Sequence, residues 1–375
     1  MVPGWLACSA SRMSANAARP RLVVIQLSGG NDGLNVVAPT RDPLYRTLRP
    51  GLGLDAGNAI TLGAGLALNA AAPEMARLLD EGVLHFVQGV GYPNAHRSHF
   101  RSMDVWQSGS VDAAGQSTGW LGRYLDAECS GCAPYRALDM GSDVSPALRG
   151  ERGYAFSLGN LPRVRDELEA LERVRPRPRA LGVPEDEYVR QVLQETRTSA
   201  AYLAATRLPT REVGSFPDSA LGRQLQRVAQ FVLGGGDTDI FYASLGGFDT
   251  HARQRVRHDR LLAEYSAAVG AFVDVLRRAR LLDETLVLTY SEFGRRAAEN
   301  ANGGTDHGKA NLAWVIGGAV RPGRVAEFAP DLARLDDGDL AMRVDFRSVY
   351  ATILRRWLGA APAPIIGDYP VLDFV

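Results

Sequence analysis

A chain of 375 residues is long for one small module and short for two full enzyme domains, so one large domain carrying an insertion is the starting expectation. Apolar residues make up 46% and charged residues 22%, which excludes wholesale disorder, collagen and coiled coil. Forty-two basic residues balance forty-two acidic ones, and no window holds the ~18 uninterrupted apolar residues of a membrane span, so neither nucleic acid nor a bilayer is an expected partner.

Residues 1–20 are rich in Ala and Ser and carry no periodic pattern. They fit a disordered tail or the truncated end of an export signal, without the charged segment and ~7–15 apolar residues of a complete one. The domain is expected over 21–375. It opens with Leu22-Val-Val-Ile-Gln-Leu27, a short β-branched run that breaks into Ser28-Gly-Gly-Asn-Asp-Gly-Leu-Asn35. Such a run reads as a buried parallel strand that delivers its loop to the carboxyl edge of a sheet, where open α/β sheets bind ligands. Val83–Val87, Asp239–Ser244, Thr285–Tyr290 and Leu312–Ile316 have the same character. Helical patterns fall between them, at Ala70–Asp80 and at Arg253–Leu281, where Leu262, Tyr265, Val269, Phe272, Val273 and Leu276 keep helical spacing. Phe346–Leu358 reads as an amphipathic helix with Asp345 as its N-cap. The alternation predicts a doubly wound α/β layer sandwich.

Over 150–217 the texture shifts to Arg, Glu and Pro, as in Arg173-Val-Arg-Pro-Arg-Pro-Arg179, and strand-like runs vanish. This predicts a helical insertion or cap with solvated charged faces. Cys129 and Cys132 form a lone C-x-x-C without the further ligands of a zinc site, so a local disulfide or two idle thiols is expected.

Four polar clusters collect around the predicted strands. In the glycine-rich turn at Asn31-Asp32, Asp32 suits a metal ligand, and equally a tight turn bonding its own backbone. The run His96-Arg-Ser-His99 follows the second strand, with Ser98 at the start of a helix expected over Ser98–Trp106. A serine there is either an N-cap or a group beside an oxyanion site; the G-x-S-x-G elbow of serine hydrolases is absent. Asp249 and His251 stand two apart after a strand, a spacing that suits a metal centre or merely opens the helix that follows. His258, two helical turns on, lines the site or faces solvent. Glu292 falls just past the strand Thr285–Tyr290, and Asp306-His307-Gly308 supplies further donors beside Lys309, the sole lysine against forty-one arginines. Mixed Asp, Glu and His donors without thiolates suit Zn²⁺, Mn²⁺ or Mg²⁺, as one ion or two.

Taken in order, Arg21–Asn35, Arg97-Ser-His-Phe100, Gly247-Phe-Asp-Thr-His251, Ser291-Glu-Phe-Gly-Arg295 and Gly304-Thr-Asp-His-Gly308 resemble the DUF1501 family, an uncharacterised bacterial family related to the alkaline phosphatase and sulfatase superfamily. The resemblance implies a three-layer, alkaline-phosphatase-like sandwich with a mostly parallel central sheet. It also implies a periplasmic or secreted protein; many members carry a twin-arginine leader, which this N-terminus lacks or has lost. By the same resemblance Asp32, Asp249, His251, Glu292 and His307 are the expected metal ligands. Asn31, His96, His99, Asp306 and Lys309 are further candidates. Ser98 is the expected nucleophile and Arg97 the group that holds non-bridging oxygens. The superfamily's Asp-His pair after the late strand appears here as Glu292-Phe293, so one histidine ligand must come from elsewhere. The expected function is metal-dependent hydrolysis of small-molecule or polymeric phosphate or sulfate esters. The alternative is a non-catalytic exported protein that keeps the fold to bind an anion or polysaccharide.

Overall fold

The computed structural model describes residues 20–112, 116–128, 133–151, 155–159, 197–199, 201, 202, 206, 208, 209 and 213–375. Cys129, Cys132 and most of the expected insertion at 150–217 lie outside the described residues. The chain starts with strand β1 (Arg21–Ser28), then a small sheet of β2 (Val37–Ala38), β3 (Ala59–Gly63) and β4 (Leu66–Asn69). Helix α1 (Pro43–Leu48) interrupts that sheet, and α2 (Pro73–Asp80) follows it. Next come β5 (Leu84–Gly91), α3 (His99–Ser108), α4 (Trp120–Glu128), β6 (Ala137–Asp139) and β7 (Phe156–Ser157). The second half runs α5 (Ala220–Leu233), β8 (Ile240–Gly246), α6 (Gln254–Arg278), β9 (Thr285–Tyr290) and β10 (Asn311–Ile316). A hairpin of β11 (Leu335–Asp336) and β12 (Asp339–Leu340) precedes β13 (Val344–Asp345), α7 (Phe346–Thr352) and α8 (Ala363–Ile366).

Eight strands form the central sheet in the order β13-β5-β10-β9-β1-β8-β6-β7. Strand β1 is central because its run is apolar on both faces. Val23, Ile25 and Leu27 pack with Phe241, Val287 and Trp314 under α2, α5 and α6. Leu22 and Val24 pack with Tyr242, Leu288 and Tyr290 under α3, α4 and α7. Each fully buried Val, Leu or Ile contributes ~1.5–3 kcal/mol over its exposed state, so a both-sided run is secure only between two helical layers. The result is a mixed α/β sandwich of three layers. The apolar spacing of α6 is realised, with Leu262, Tyr265, Val269, Phe272, Val273 and Leu276 wholly or almost wholly buried. Asp345 accepts the Arg347 amide hydrogen at 2.9 Å and so caps α7.

The sheet is mostly parallel, as expected, with one reversed strand. Parallel pairing holds for β1 with β8 and β9, for β6 with β7 and β8, and for β13 with β5, but β10 runs antiparallel to β5 and β9. The loop that leaves β9 therefore enters β10 at the same edge. Residues 291–310 begin and end at the carboxyl edge, level with the loops that follow β1, β5 and β8.

Candidate metal centre at the carboxyl edge

Two close backbone approaches bring the edge loops together. Gly29 follows β1 at φ +114°, and a Cβ there would overlap the amide of Asp249. At Gly304 a Cβ would overlap the carbonyl group of His251. Only glycine leaves room at these points. Helix α3 is fixed by Trp106, stacked on Tyr290 with ring centres 4.9 Å apart, and by Tyr350, whose hydroxyl donates to the Trp106 carbonyl. At its other end the Ser102 hydroxyl donates to the His96 carbonyl at 2.7 Å and lies 2.9 Å from the Tyr92 hydroxyl. That knot sets the start of α3, and with it His99.

His99, Asp249 and His307 converge so that one ligand atom from each lies within 4.8 Å of the others. Asp249 Oδ1 is the focus. His307 Nε2 and His251 Nε2 each lie 3.0 Å from it, and His99 Nε2 lies 3.6 Å away. His251 Nε2 and His307 Nε2 are themselves 2.9 Å apart. Behind each ring stands an acceptor at Nδ1: Glu292 Oε1 at 2.8 Å for His99, the Arg97 carbonyl at 2.8 Å for His307, and Asp306 Oδ1 at 3.3 Å for His251. An acceptor there fixes the N–H on Nδ1 and turns the Nε2 lone pair inward, the usual arrangement around metal-binding imidazoles. His99 Nε2 is buried and has no hydrogen-bond partner.

Glu292 is placed differently from its expected role. It is 1% exposed, and it reaches the cluster only through His99. Its Oε1 also accepts the Gly29 amide hydrogen at 2.8 Å, and its Oε2 accepts the Ser291 hydroxyl at 3.1 Å. The hydrogen bond to Glu292, together with that negative charge, outweighs burial and raises the pKa of His99.

Asp32 is also at the carboxyl edge, but outside the cluster. Its Oδ2 lies 2.6 Å from Arg49 Nη1 and also accepts from the Gln254 side chain, and the pair is almost wholly buried. Burial opposes its ionisation; the Arg49 charge and hydrogen bond outweigh it and lower its pKa. Asn31 is buried with its Oδ1 2.9 Å from His258 Nε2. His258 itself is 1% exposed, so it neither faces solvent nor joins the cluster, and burial lowers its pKa.

The remaining candidates sit around the rim. Ser98 is exposed at the N-cap of α3, and its side chain makes no capping hydrogen bond. Arg97 lies beside it, but its guanidinium is held by Asp339 at 2.5 Å and Asp337 at 3.2 Å. His96 is exposed, and Lys309 is ion-paired with Asp336 at 2.8 Å. Asp306, besides backing His251, accepts from Asn300 at 3.1 Å, and that bond, with His251, lowers its pKa.

Two arginines with large roles carried no local signal of them. Arg295, whose side chain is wholly buried, donates to the carbonyls of Gly29, Gly30, Phe248 and Thr305 and to Asp249 Oδ1 at 2.9 Å. Burial disfavours the Asp249 carboxylate, but bonds from His307 and Arg295 more than offset this and hold it well below the usual range. Arg49 sits at the C-terminal end of α1. A run of backbone acceptors for one guanidinium cannot be read from sequence, because the carbonyls come from loops far apart in the chain. A cavity of about 930 Å³ lies elsewhere, between α2 and α6 near Glu74, Gly270 and Arg278, and includes none of the clustered residues.

The fold and edge define an α/β/α sandwich with an imidazole–carboxylate cluster where β1, β5, β8 and β9 end. The profile of DUF1501, a protein family of unknown function, matches residues 88–359, and the chain belongs to that family. No curated protein matches it in sequence. Among solved structures, it is similar to an alkaline phosphatase superfamily protein from Vibrio parahaemolyticus at 11% identity, covering 94% of this chain and 71% of that one with a TM-score of 0.43. The PsFucS1 sulfatase from Pseudoalteromonas sp. aligns at 13% identity over 92% and 68% of the two chains, TM-score 0.41. The C-terminal periplasmic domain of EcEptC from Escherichia coli aligns at 9% identity over 93% and 86%, TM-score 0.42. Among the described residues no helix is long and apolar enough to cross a membrane.

Proposed function

We propose that the chain is a divalent-metal-dependent hydrolase of phosphate or sulfate esters, with its ion held by His99, Asp249 and His307 and adjoined by His251. One observation carries the reading: three imidazoles have their Nδ1 atoms engaged from behind and their Nε2 atoms gathered around one carboxylate oxygen. Ligands bound tetrahedrally at ~2.0–2.1 Å are ~3.3 Å apart, close to the separations seen here. The buried, unpartnered Nε2 of His99 fits that donor set. Nitrogen and oxygen donors without thiolate suit Zn²⁺ or Mn²⁺.

A bound ion would supply Lewis acidity to an ester oxygen. The chain supplies the rest. Ser98 immediately precedes His99, and its hydroxyl is not spent on capping. Its oxygen would bond to phosphorus or sulfur, the alcohol would leave with the serine's proton, and water would then release the anion and restore the serine. The first-turn N–H groups of α3, with the positive end of the helix dipole, favour the oxyanions at that point. Arg97 is tied to Asp339 and Asp337, so its expected hold on substrate oxygens would require that ion pair to open. The same pairing is the observation that favours the second reading, a non-catalytic protein that binds its ligand through the ion.

Elemental analysis of the purified full chain, followed by a screen of nitrophenyl phosphate and sulfate esters, tests the proposal. Bound Zn²⁺ or Mn²⁺ is expected, with turnover that stops in EDTA and returns with the ion. Ser98→Ala should abolish turnover, keep the ion, and cost under the ~1 kcal/mol usual for a lost cap, since no cap bond exists to lose. Turnover that survives EDTA would refute the metal role. Full turnover in the Ser98→Ala protein would remove the serine from the chemistry.

A further inference from the structure

The family resemblance makes Asp32 an expected metal ligand, and in the structure an arginine side chain is paired with it. Arg49 is 1% exposed. Its Nη1 reaches Asp32 Oδ2 at 2.6 Å and Asn35 Oδ1 at 2.9 Å, its Nε reaches the Ala297 carbonyl at 2.9 Å, and its Nη2 reaches the Arg296 carbonyl at 2.9 Å. One guanidinium thus ties the loop after β1 to the loop after β9. Gln254 completes the enclosure: its amide donates to Asp32 Oδ2, and its Oε1 accepts the hydroxyls of Thr305 at 2.6 Å and Thr250 at 3.2 Å. Those threonines neighbour Asp306 and His251.

We infer that the second cation of this edge is built into the chain, as the Arg49 guanidinium on Asp32, and that the centre takes a single divalent ion. The inference rests on the metal-site reading proposed above. Two observations carry it. Asp32 Oδ2 is bonded by a charged donor and an amide on a side chain that is 1% exposed, so an exogenous ion at that oxygen would have to displace a buried guanidinium. Asp32 Oδ1 is buried without a partner, yet among the described residues His99, Asp249 and His307 form the one group of three or more His, Cys, Asp or Glu side chains close enough to share an ion. One unpartnered carboxylate oxygen falls short of the several oxygen donors a divalent cation takes. An arginine does this work where a lysine would not, because its planar fork reaches two oxygens and two loop carbonyls at once.

The test is ion stoichiometry in the full-length protein, titrated with Zn²⁺ and separately with Mn²⁺ in the presence of a weak chelator that strips surface histidines. One ion per chain is expected, released in a single step by a stronger chelator. Asp32→Asn should keep that ion with less than about a threefold change in affinity, whereas His307→Ala should lose it by at least 100-fold. Two ions per wild-type chain would overturn the inference and leave the metal-site reading standing. No ion at all would remove both. Should Asp32→Asn fail to fold, the wild-type count still decides between one ion and two.

Discussion

Asp32 and Asp249 follow neighbouring strands, β1 and β8, at the same edge of the same sheet, and they have opposite surroundings. Asp32 is sealed in with an arginine at 2.6 Å, and its side chain is 1% exposed. Asp249 is 48% exposed on its side chain, with three histidine nitrogens and one arginine nitrogen within 3.6 Å of a single oxygen. A carboxylate can be buried only with its charge compensated, and once compensated it has little left to offer a ligand. The half-open one keeps a free oxygen and remains available. Position at a strand end therefore does not settle what an aspartate does, and neither does an arginine beside it; exposure and the surrounding imidazoles do.

Arg49→Met would test that contrast most severely. It leaves Asp32 buried and unpaired, and should lower stability by about 3–5 kcal/mol in urea denaturation of the metal-free protein. Asp249→Asn, by contrast, should change stability by less than about 1 kcal/mol, because the side chain is half in water. Equal losses in the two variants would erase the distinction.

A third aspartate at this edge sharpens it. Asp139 ends β6 with no cation beside it among the described residues, and it accepts the Gly141 and Ser145 amide hydrogens at 2.8 Å each. Burial pushes its pKa from 3.8 up to about 6, against the pull of those two bonds. Its folded value is thus raised, so its favourable contribution is complete below pH 4 and is lost as the pH climbs through about 6. At ~1.4 kcal/mol per tenfold change, ionised Asp139 costs about 3 kcal/mol at neutral pH. The stability of Asp139→Asn relative to wild type should therefore improve by about 2–3 kcal/mol between pH 4 and pH 7.5. A difference that stays flat across that window would show that Asp139 ionises freely.

The smallest effect concerns Glu292, buried like Asp32 but paired with a histidine that belongs to the cluster. Glu292→Gln keeps an oxygen for His99 Nδ1 and removes the charge behind it. Ion affinity, read by chelator competition, should fall ~10–100-fold. Unchanged affinity would mean that Glu292 serves the Gly29 loop and not the imidazole.

Much of this was legible in the text of the chain, for identifiable reasons. Strands β1, β8, β9 and β10 are long and apolar, so their runs announce them; β6, β7 and β13 hold two or three residues each and announce nothing. The reversed direction of β10 has no local signature, since a both-sided apolar run reads alike in either sense. The prominence of Asp249, His251 and His307 follows from polar residues crowding short loops. What stayed hidden was partner choice. Glu292 and His99 are 193 residues apart, and Asp32 and Arg49 are joined across a helix and a turn, so no spacing rule links either pair.

The lone lysine has a practical consequence. Lys309 lies two residues beyond His307, its side chain is 25% exposed, and its ammonium is 2.8 Å from Asp336 on the hairpin that also holds Arg97. Reductive methylation with isotope-labelled formaldehyde would mark only this amine and the chain's α-amino group. A 40.5 kDa protein would then give a two-line carbon spectrum, one line of which comes from the loop that carries His307. Occupancy of the centre could be followed from that line without any chromogenic substrate.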